Sequence, residues 1–504
     1  MSETHRDNVE GGSCYIRLPG EVRTTNGDPS LRILFVEPPK VFWFVMGEYL
    51  PPPLGILNLA AYLRRHDSNL DIEVLDCQAE GIDWRTLEGR IEAFGPDVVA
   101  PSSLTTCNAY RGLRIAELAK KINPDTTTIV GGQHYTALAE ETLEIYPEID
   151  VVVRGEGEQT LAEVIDALKG NHNLSQVKGI SFRKNRTITT TPDRPLIENL
   201  DDLPLPGYDF VEKQMKKYHF SLMAGANTPY ALIEASRGCP HDCSFCSQCA
   251  FWQWQWRLKS PKRIADEFEY CYTKFGTRFF WLTDDNFGLG PRTRELCGEI
   301  QKRGIADDIM WFMQARCDDI VNQQDTLPLL RKSGLMWILA GVESHSPEIL
   351  KSFNKGIEPS MSKEAFRLLK LSDIFAQATL IIGSRSDSHE TIRGLRAYVN
   401  DLDPDLAIFM ALTPFPGTAF YDEAKRNGWI EDTNWAHYDM AHAIMPTEHL
   451  TRAEVQEELY HCFRGFYGSW NRRMTGLFSR NKLKRRTYRY MARQGVLQAL
   501  RGMF

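Results

Sequence analysis

The chain has 504 residues, 42% of them hydrophobic and 25% charged, with 59 basic against 66 acidic side chains and a net charge of −7. This composition excludes a disordered or fibrous protein. The acidic balance argues against a nucleic-acid partner, and no run of about 18 apolar residues offers a membrane-spanning helix. The polar N-terminus, MSETHRDNVEGGS, lacks a signal-peptide core. A reducing, cytoplasmic location is therefore expected, and the eleven cysteines are not expected to pair.

Residues 1–29 read as a flexible extension. From residue 30, short apolar runs alternate with amphipathic segments. LRILFVEP (31–38), IEVLD (72–76), DVVAPSSL (97–104), TTTIVGGQ (126–133) and DVVVRG (150–155) predict strands. Helices are predicted over 54–65, 84–94, 108–122, 136–145 and 158–169. Fully apolar strands between amphipathic helices indicate an α/β, doubly wound (flavodoxin-like) parallel sheet over 30–170. Residues 171–229 hold a hairpin, GISFRKNRTITTTP (179–192), and a Pro-rich inter-domain linker, LDDLPLPGYDF (200–210).

A second alternation follows over 230–418. Strands are predicted at 231–236, 278–285, 309–316, 336–344, 375–383 and 406–415, with helices near 261–274, 291–303, 325–333, 360–372 and 388–401. Six strands with helical crossovers suggest a partial (β/α)6 barrel, whose chemistry sits at the C-terminal strand ends. Residues 419–504 read as a helical C-terminal region. After Glu458 it has no acidic residue, and Arg464 to Arg501 supply eleven basic ones. The tail is either a solvated charged face or a surface for anionic lipid, with Phe478, Tyr488, Tyr490, Met491 and Leu497 as apolar partners.

Four cysteines crowd into SRGCPHDCSFCSQC, immediately after the first barrel strand. Structural zinc usually takes two separated ligand pairs, and no other C-x2-C occurs here. A C-x3-C-x2-C loop instead suits a [4Fe–4S] cluster on Cys239, Cys243 and Cys246, which leaves one iron free. This loop resembles that of the radical S-adenosylmethionine (SAM) superfamily over roughly residues 230–420. The resemblance implies that the free iron chelates SAM, whose reductive cleavage gives a 5′-deoxyadenosyl radical. It also implies roles for the strand ends. The Thr283-Asp284-Asp285-Asn286 motif would read the SAM amino group, Arg316 its carboxylate in a bidentate pair, and Glu343 the ribose hydroxyls. Gly383, beside Ile382, would admit adenine, and Pro414 and Phe415 close the sixth strand. Each could equally be a cap or turn residue. Cys249 departs from the pattern and is read as a fourth thiolate, a catalytic residue or a bystander lining the pocket.

The first loop of the N-terminal sheet lacks G-x-G-x-x-G, which argues against a dinucleotide. Ser102-Ser103-Leu104 after the third strand and Gly131-Gly132 after the fourth resemble the S-x-L and G-G of cobalamin-binding domains. No histidine stands in the first loop, so the resemblance implies a base-off cobalamin without histidine ligation. His134 is a further polar contact or a solvated loop residue. The aromatic and Pro-rich loop from Trp43 to Leu54 would pack on the corrin, and RGEGEQTL (154–161) would cap its helix and face the second domain. Trp252, Trp254 and Trp256 read as a packed face or an aromatic wall.

The order of domains resembles the cobalamin-dependent radical SAM enzymes, near the anaerobic magnesium-protoporphyrin monomethyl ester cyclases and the B12 radical SAM methylases. The implied reaction is methylation of an unactivated carbon through methylcobalamin. The alternative is oxidative ring formation on a porphyrin ester, and the third is a non-catalytic cobalamin or redox sensor. The implied partners are a flavodoxin- or ferredoxin-type electron donor and a small hydrophobic, lipid, porphyrin or peptide substrate, with peripheral membrane contact through the basic tail.

Overall fold

The structure is a computed structural model and describes residues 30–39, 49–102, 105–170, 173–184, 187–221, 228–479 and 481–501. The extension 1–29, residues 43–48 of the aromatic loop, Ser103, Leu104 and the side chain of Leu497 lie outside the described residues.

Seven strands form the first sheet: β1 (Arg32–Glu37), β2 (Asp71–Asp76), β3 (Val98–Pro101), β4 (Thr127–Gly131), β5 (Val151–Val153), β6 (Ile180–Lys184) and β7 (Thr187–Thr190). Their order is β2-β1-β3-β4-β5-β6-β7. The first five are mutually parallel, with Ile33 opposite Ile72 and Val98, and Ile129 opposite Val151. This is the doubly wound order, whose switch point lies between β1 and β3. The predicted hairpin forms as β6 and β7 and adds two antiparallel strands to the sheet edge.

The alternation of the sequence has a local cause at each helix. Asp83 accepts from Thr86 N and Gly95 closes the last turn in the left-handed region, so helix Trp84–Phe94 matches its predicted span. The helix predicted over 136–145 begins earlier and breaks in two, Gln133–Ala137 and Ala139–Ile145, because Leu138 leaves helical geometry (φ −120°, ψ 33°).

The second sheet runs in chain order: β8 (Tyr230–Ile233), β9 (Phe279–Leu282), β10 (Met310–Arg316), β11 (Leu335–Glu343), β12 (Phe375–Ile382) and β13 (Leu406–Ala411). All neighbours are parallel, giving the expected open six-stranded barrel. Helix Pro261–Phe275 is typical of its outer layer. Ser260 caps it, Pro261 opens it, Gly276 ends it in the left-handed region, and Ile264, Ala265, Phe268 and Cys271 are its buried side. Burying Phe268 alone is worth about 2–3 kcal/mol.

One sequence expectation changes here. The Pro-rich segment is packed structure: Tyr208 is buried, its hydroxyl donates to Leu232 O (2.5 Å), and Leu232 N donates to that hydroxyl (3.1 Å). Further along, His219–Phe220 pairs antiparallel with Tyr49–Leu50. Phe220 then plugs the barrel, with ring centroids 5.5 Å from Trp337, 5.9 Å from Phe312 and 6.3 Å from Phe279. The chain between the two sheets therefore closes the foot of the barrel.

Candidate cofactor and substrate site

The cysteine loop rises between two short strands, Ser236–Arg237 and Arg257–Leu258, which pair antiparallel. Gly238 opens it at φ +85°, and an added Cβ there would lie 2.0 Å from Gln255 O, so only glycine fits. Asn354 Nδ2 donates to Asp242 O (2.7 Å) and Ser244 N to Phe353 O (3.1 Å), which holds the loop over the end of β11. Cys239, Cys243 and Cys246 are half-buried, whereas Cys249 is buried on helix Ser247–Phe251 and its thiol donates to His241 O (2.8 Å). Among the described residues, no three His, Cys, Asp or Glu side chains gather closely enough for a single ion. A four-iron cluster spreads its thiolates over separate irons, so three accessible thiols on one loop fit it better than they fit zinc.

Beneath the loop lies a cavity of about 350 Å³ at the C-terminal strand ends of the barrel. Its apolar wall includes Phe245, Trp281, Ile381, Met410 and Phe415, and its polar groups include Asp285, Arg316, Glu343 and Lys355. The strand-end residues named from the sequence separate here. Asp285, Arg316, Glu343 and Phe415 line the cavity. Asp284 does not. It is buried, accepts from Ala235 N (3.1 Å) and from the Ser236 hydroxyl, and so fixes the root of the cysteine loop. Asn286 is buried and donates to Asp319 (3.3 Å), while its Oδ1 has no partner among the described residues. Gly383 faces away as well: it has φ +86°, its N donates to Asp387 (2.9 Å), and an added Cβ would press on Val455 at 3.0 Å.

Arg316 corrects its expectation. Its Nε and Nη2 are already bidentate to Asp318 (2.9 and 3.1 Å), and Nη2 also donates to Lys355 O (2.6 Å). Only the Nη1 side is left for a ligand carboxylate. Glu343 follows a register shift in β11 and has φ +61°, a left-handed conformation that a residue with a Cβ adopts only when its surroundings impose it. Lys355 Nζ donates to it (2.8 Å), as does the Thr379 hydroxyl (3.2 Å). Burial opposes a charge on Lys355, but Glu343 outweighs it and the ammonium is held above its ordinary range. Sequence reading missed Lys355, which sits in a loop without a motif.

Asp285 faces the cavity and its side chain is open to that space. Desolvation by the protein packed around it first, then the neighbouring Asp284 and Glu234, push its carboxyl up to about 8. A raised carboxyl contributes stability below the unfolded value of about 3.9 and loses it as pH rises to the folded value. Asp285→Asn should therefore raise the melting temperature of the cofactor-free protein, by an increment that grows from pH 5 to pH 8. Thermal scans at both pH values check this, and an increment that shrinks with pH refutes it.

On the first sheet, Ser102 follows β3 at the switch point, and its N donates to Val36 O (2.8 Å). Gly131 lies where a Cβ would come within 3.1 Å of Val153 O, and Gly132 has φ +93°. His134 is buried rather than solvated, with its ring 5.1 Å from that of Trp435, and its Nδ1 has no partner among the described residues. Burial pushes its imidazole down to about 4, so it is neutral. A bare backbone turn beside an orphaned, neutral imidazole fits the uncharged amide-rich periphery of a corrin. Gln133 extends this turn to the cysteine helix. It donates to Gln248 Oε1 (2.6 Å) and accepts from the Ser247 hydroxyl (3.0 Å).

RGEGEQTL faces the barrel as expected, but Glu156 does not cap its helix. Glu156 and Glu158 instead bind Arg237 (2.7 and 2.5 Å), and Glu156 also binds Arg257 (2.9 Å). The three tryptophans form neither a face nor a wall. Trp252 lies beside Arg237 and Arg257, Trp254 is exposed at φ +55°, and Trp256 packs on Gly288.

Comparison with known proteins matches this two-part arrangement. The B12 binding domain profile matches residues 46–165, and the Radical SAM superfamily profile matches residues 233–398. An uncharacterized methyltransferase of Pyrococcus horikoshii is 31% identical over 440 residues, covering 87% of this chain and 92% of its own. The chain belongs to the cobalamin-dependent radical SAM family. The anaerobic magnesium-protoporphyrin IX monomethyl ester cyclase of Synechocystis is 31% identical, with 83% of this chain and 82% of its own covered. Among solved structures, the fold is similar to that of the cobalamin-dependent SAM radical enzyme OxsB (TM-score 0.71, 18% identity, 92% of this chain and 71% of that one). It is also similar to the radical SAM methyltransferase TsrM of Kitasatospora setae (TM-score 0.63, 19% identity, 79% and 75% covered). This radical SAM protein is thus an enzyme whose cofactors are cobalamin, SAM and a [4Fe–4S] cluster. The sensor reading is set aside. No helix among the described residues is long and apolar enough to cross a membrane.

Proposed function

We propose that the enzyme methylates an unactivated carbon of a small, largely apolar substrate. The observation that carries this reading is the direct hydrogen-bonded link from Gly132-Gln133 to the cysteine helix, which sets the turn proposed to cradle cobalamin directly against the loop proposed to hold the cluster. When bound, the cluster supplies the electron that cleaves SAM to a 5′-deoxyadenosyl radical, and cobalamin carries the methyl group to the substrate. Cys239, Cys243 and Cys246 would hold the cluster. Ser102, Gly131, Gly132 and His134 would hold the cobalamin, together with Ser103 and Leu104. In the cavity, Asp285 would receive the SAM ammonium, Arg316 Nη1 and Lys355 its carboxylate, and Glu343 the ribose hydroxyls. Asp284, Asn286 and Gly383 would act one step back by fixing the strand-end loops. Phe245, Trp281, Ile381, Met410 and Phe415 would keep water from the radical. A low-potential flavodoxin or ferredoxin would deliver the electron at the cysteine loop.

The test is anaerobic incubation of the reconstituted enzyme with reductant and SAM deuterated at its methyl group. Formation of 5′-deoxyadenosine together with a product heavier by one deuterated methyl is expected. A product that has lost hydrogen and gained oxygen without label would instead support the cyclase reading, which the Synechocystis relative keeps in view.

A further inference from the structure

The C-terminal region presents different apolar residues from those its sequence suggests. Leu483 and Tyr488 are buried, and Tyr490 and Met491 pack against the core. Among the described residues after Arg464, the exposed ones are Trp470 (73%), Met474 (37%) and Phe478 (73%). They stand at i, i+4 and i+8 on helix Trp470–Leu477 and its C-terminal cap, and so form one ridge. Leu371, 72% exposed, ends a neighbouring helix two residues before Asp373, which accepts from Asn481 (2.8 Å).

The tail that carries the ridge has charge of one sign, and the acidic side chains of the barrel beside it, Asp373 and Asp403, are paired with Arg331, Lys370 and Arg472. The sequence has no acidic residue after Glu458. Arg464, Arg473, Lys482, Arg486, Arg489 and Arg493 are exposed. Arg472 and Lys484 turn inward to Asp403 (3.1 Å) and Asp405 (2.6 Å) and pin the helices to the barrel. An aromatic ridge flanked by exposed cations matches an anionic lipid interface, where apolar side chains enter the headgroup region and nearby cations are drawn to the negative surface.

We propose that this surface docks the enzyme on an anionic bilayer through Trp470, Met474 and Phe478. Its position argues against an acidic redox protein as the occupant. Arg472 donates to Pro404 O (2.8 Å), so the ridge sits at the N-terminal end of β13, while the cysteine loop sits over the opposite ends of the strands. The six residues of β13 alone separate the two by roughly 20 Å. The docked enzyme therefore turns its cavity away from the bilayer and leaves the cysteine loop open to a soluble reductant.

The test is co-sedimentation of the full-length protein with phosphatidylcholine vesicles, with and without phosphatidylglycerol. Binding is expected only with phosphatidylglycerol, and it should weaken as salt rises. Combined Trp470→Ser, Met474→Ser and Phe478→Ser should cut partitioning at least about tenfold, and Arg486→Glu with Arg489→Glu should do the same. The melting temperature should stay unchanged, because these side chains are exposed. Absence of binding, binding indifferent to phosphatidylglycerol, or binding unchanged in the ridge variant would overturn the proposal. So would a wild-type dimer in light scattering that the ridge variant splits, since the ridge would then serve self-association.

Discussion

Cys239→Ala, Cys243→Ala and Cys246→Ala should each lose the cluster, while Cys249→Ala keeps it. After anaerobic reconstitution, iron content and the broad charge-transfer absorption should collapse in the first three, and 5′-deoxyadenosine formation should vanish with them. Removing a direct ligand exceeds the roughly 10–100-fold loss that an outer-shell change causes. The distinction rests on placement: three thiols are half-exposed on the loop, and the fourth is buried on the following helix, donating to the His241 carbonyl. Burial also pushes the Cys239 thiol up to about 11. Binding must remove that proton, so reconstitution should go faster at pH 8.5 than at pH 6.5. Iron loss in Cys249→Ala equal to that in the other three would make it a fourth ligand and refute the assignment.

The fold was legible because both sheets are buried on two faces, which leaves continuous apolar strands between amphipathic helices. Even the helix over Trp84–Phe94 could be bounded from its Asp and Gly flanks. The candidate cluster ligands stood out as a group because three thiols in one loop leave few alternatives. The strand-end residues were only half legible. Position in a strand predicts proximity to the cavity, but not which way a side chain turns. Asp284 and Asp285 are neighbours, yet one ties the backbone of Ala235 and the other faces the cavity. Lys355 was invisible because it reaches Glu343 from a loop twelve residues on, and nothing local marks that contact. Glu156 and Glu158 were placed correctly at the interface, but their partners, Arg237 and Arg257, lie roughly 80 to 100 residues away and could not be named.

Those partners set the second large effect. Arg237→Ala should destabilise the protein by about 3–5 kcal/mol, because it leaves buried carboxylates without their cation. Arg237 immediately precedes the glycine that opens the cysteine loop, and its three hydrogen-bonding positions meet Glu156, Glu158 and Glu234. Burial alone would raise the Glu158 carboxyl, but Arg237 outweighs it and holds it below its ordinary range. A depressed carboxyl contributes stability above the unfolded value of about 4.3 and loses it as pH falls through the folded value. In the variant burial is opposed only by a backbone hydrogen bond and the more distant Lys259, so Glu158 turns costly as pH rises above that point. The gap in melting temperature between wild type and Arg237→Ala should therefore widen from pH 4.5 to pH 7.5. Adding Glu156→Gln and Glu158→Gln to the variant should recover much of the loss, since a neutral amide costs less to bury than an unpaired charge. A gap independent of pH, with no rescue by the glutamines, would mean that Arg237 stabilises only through its packing beside Trp252.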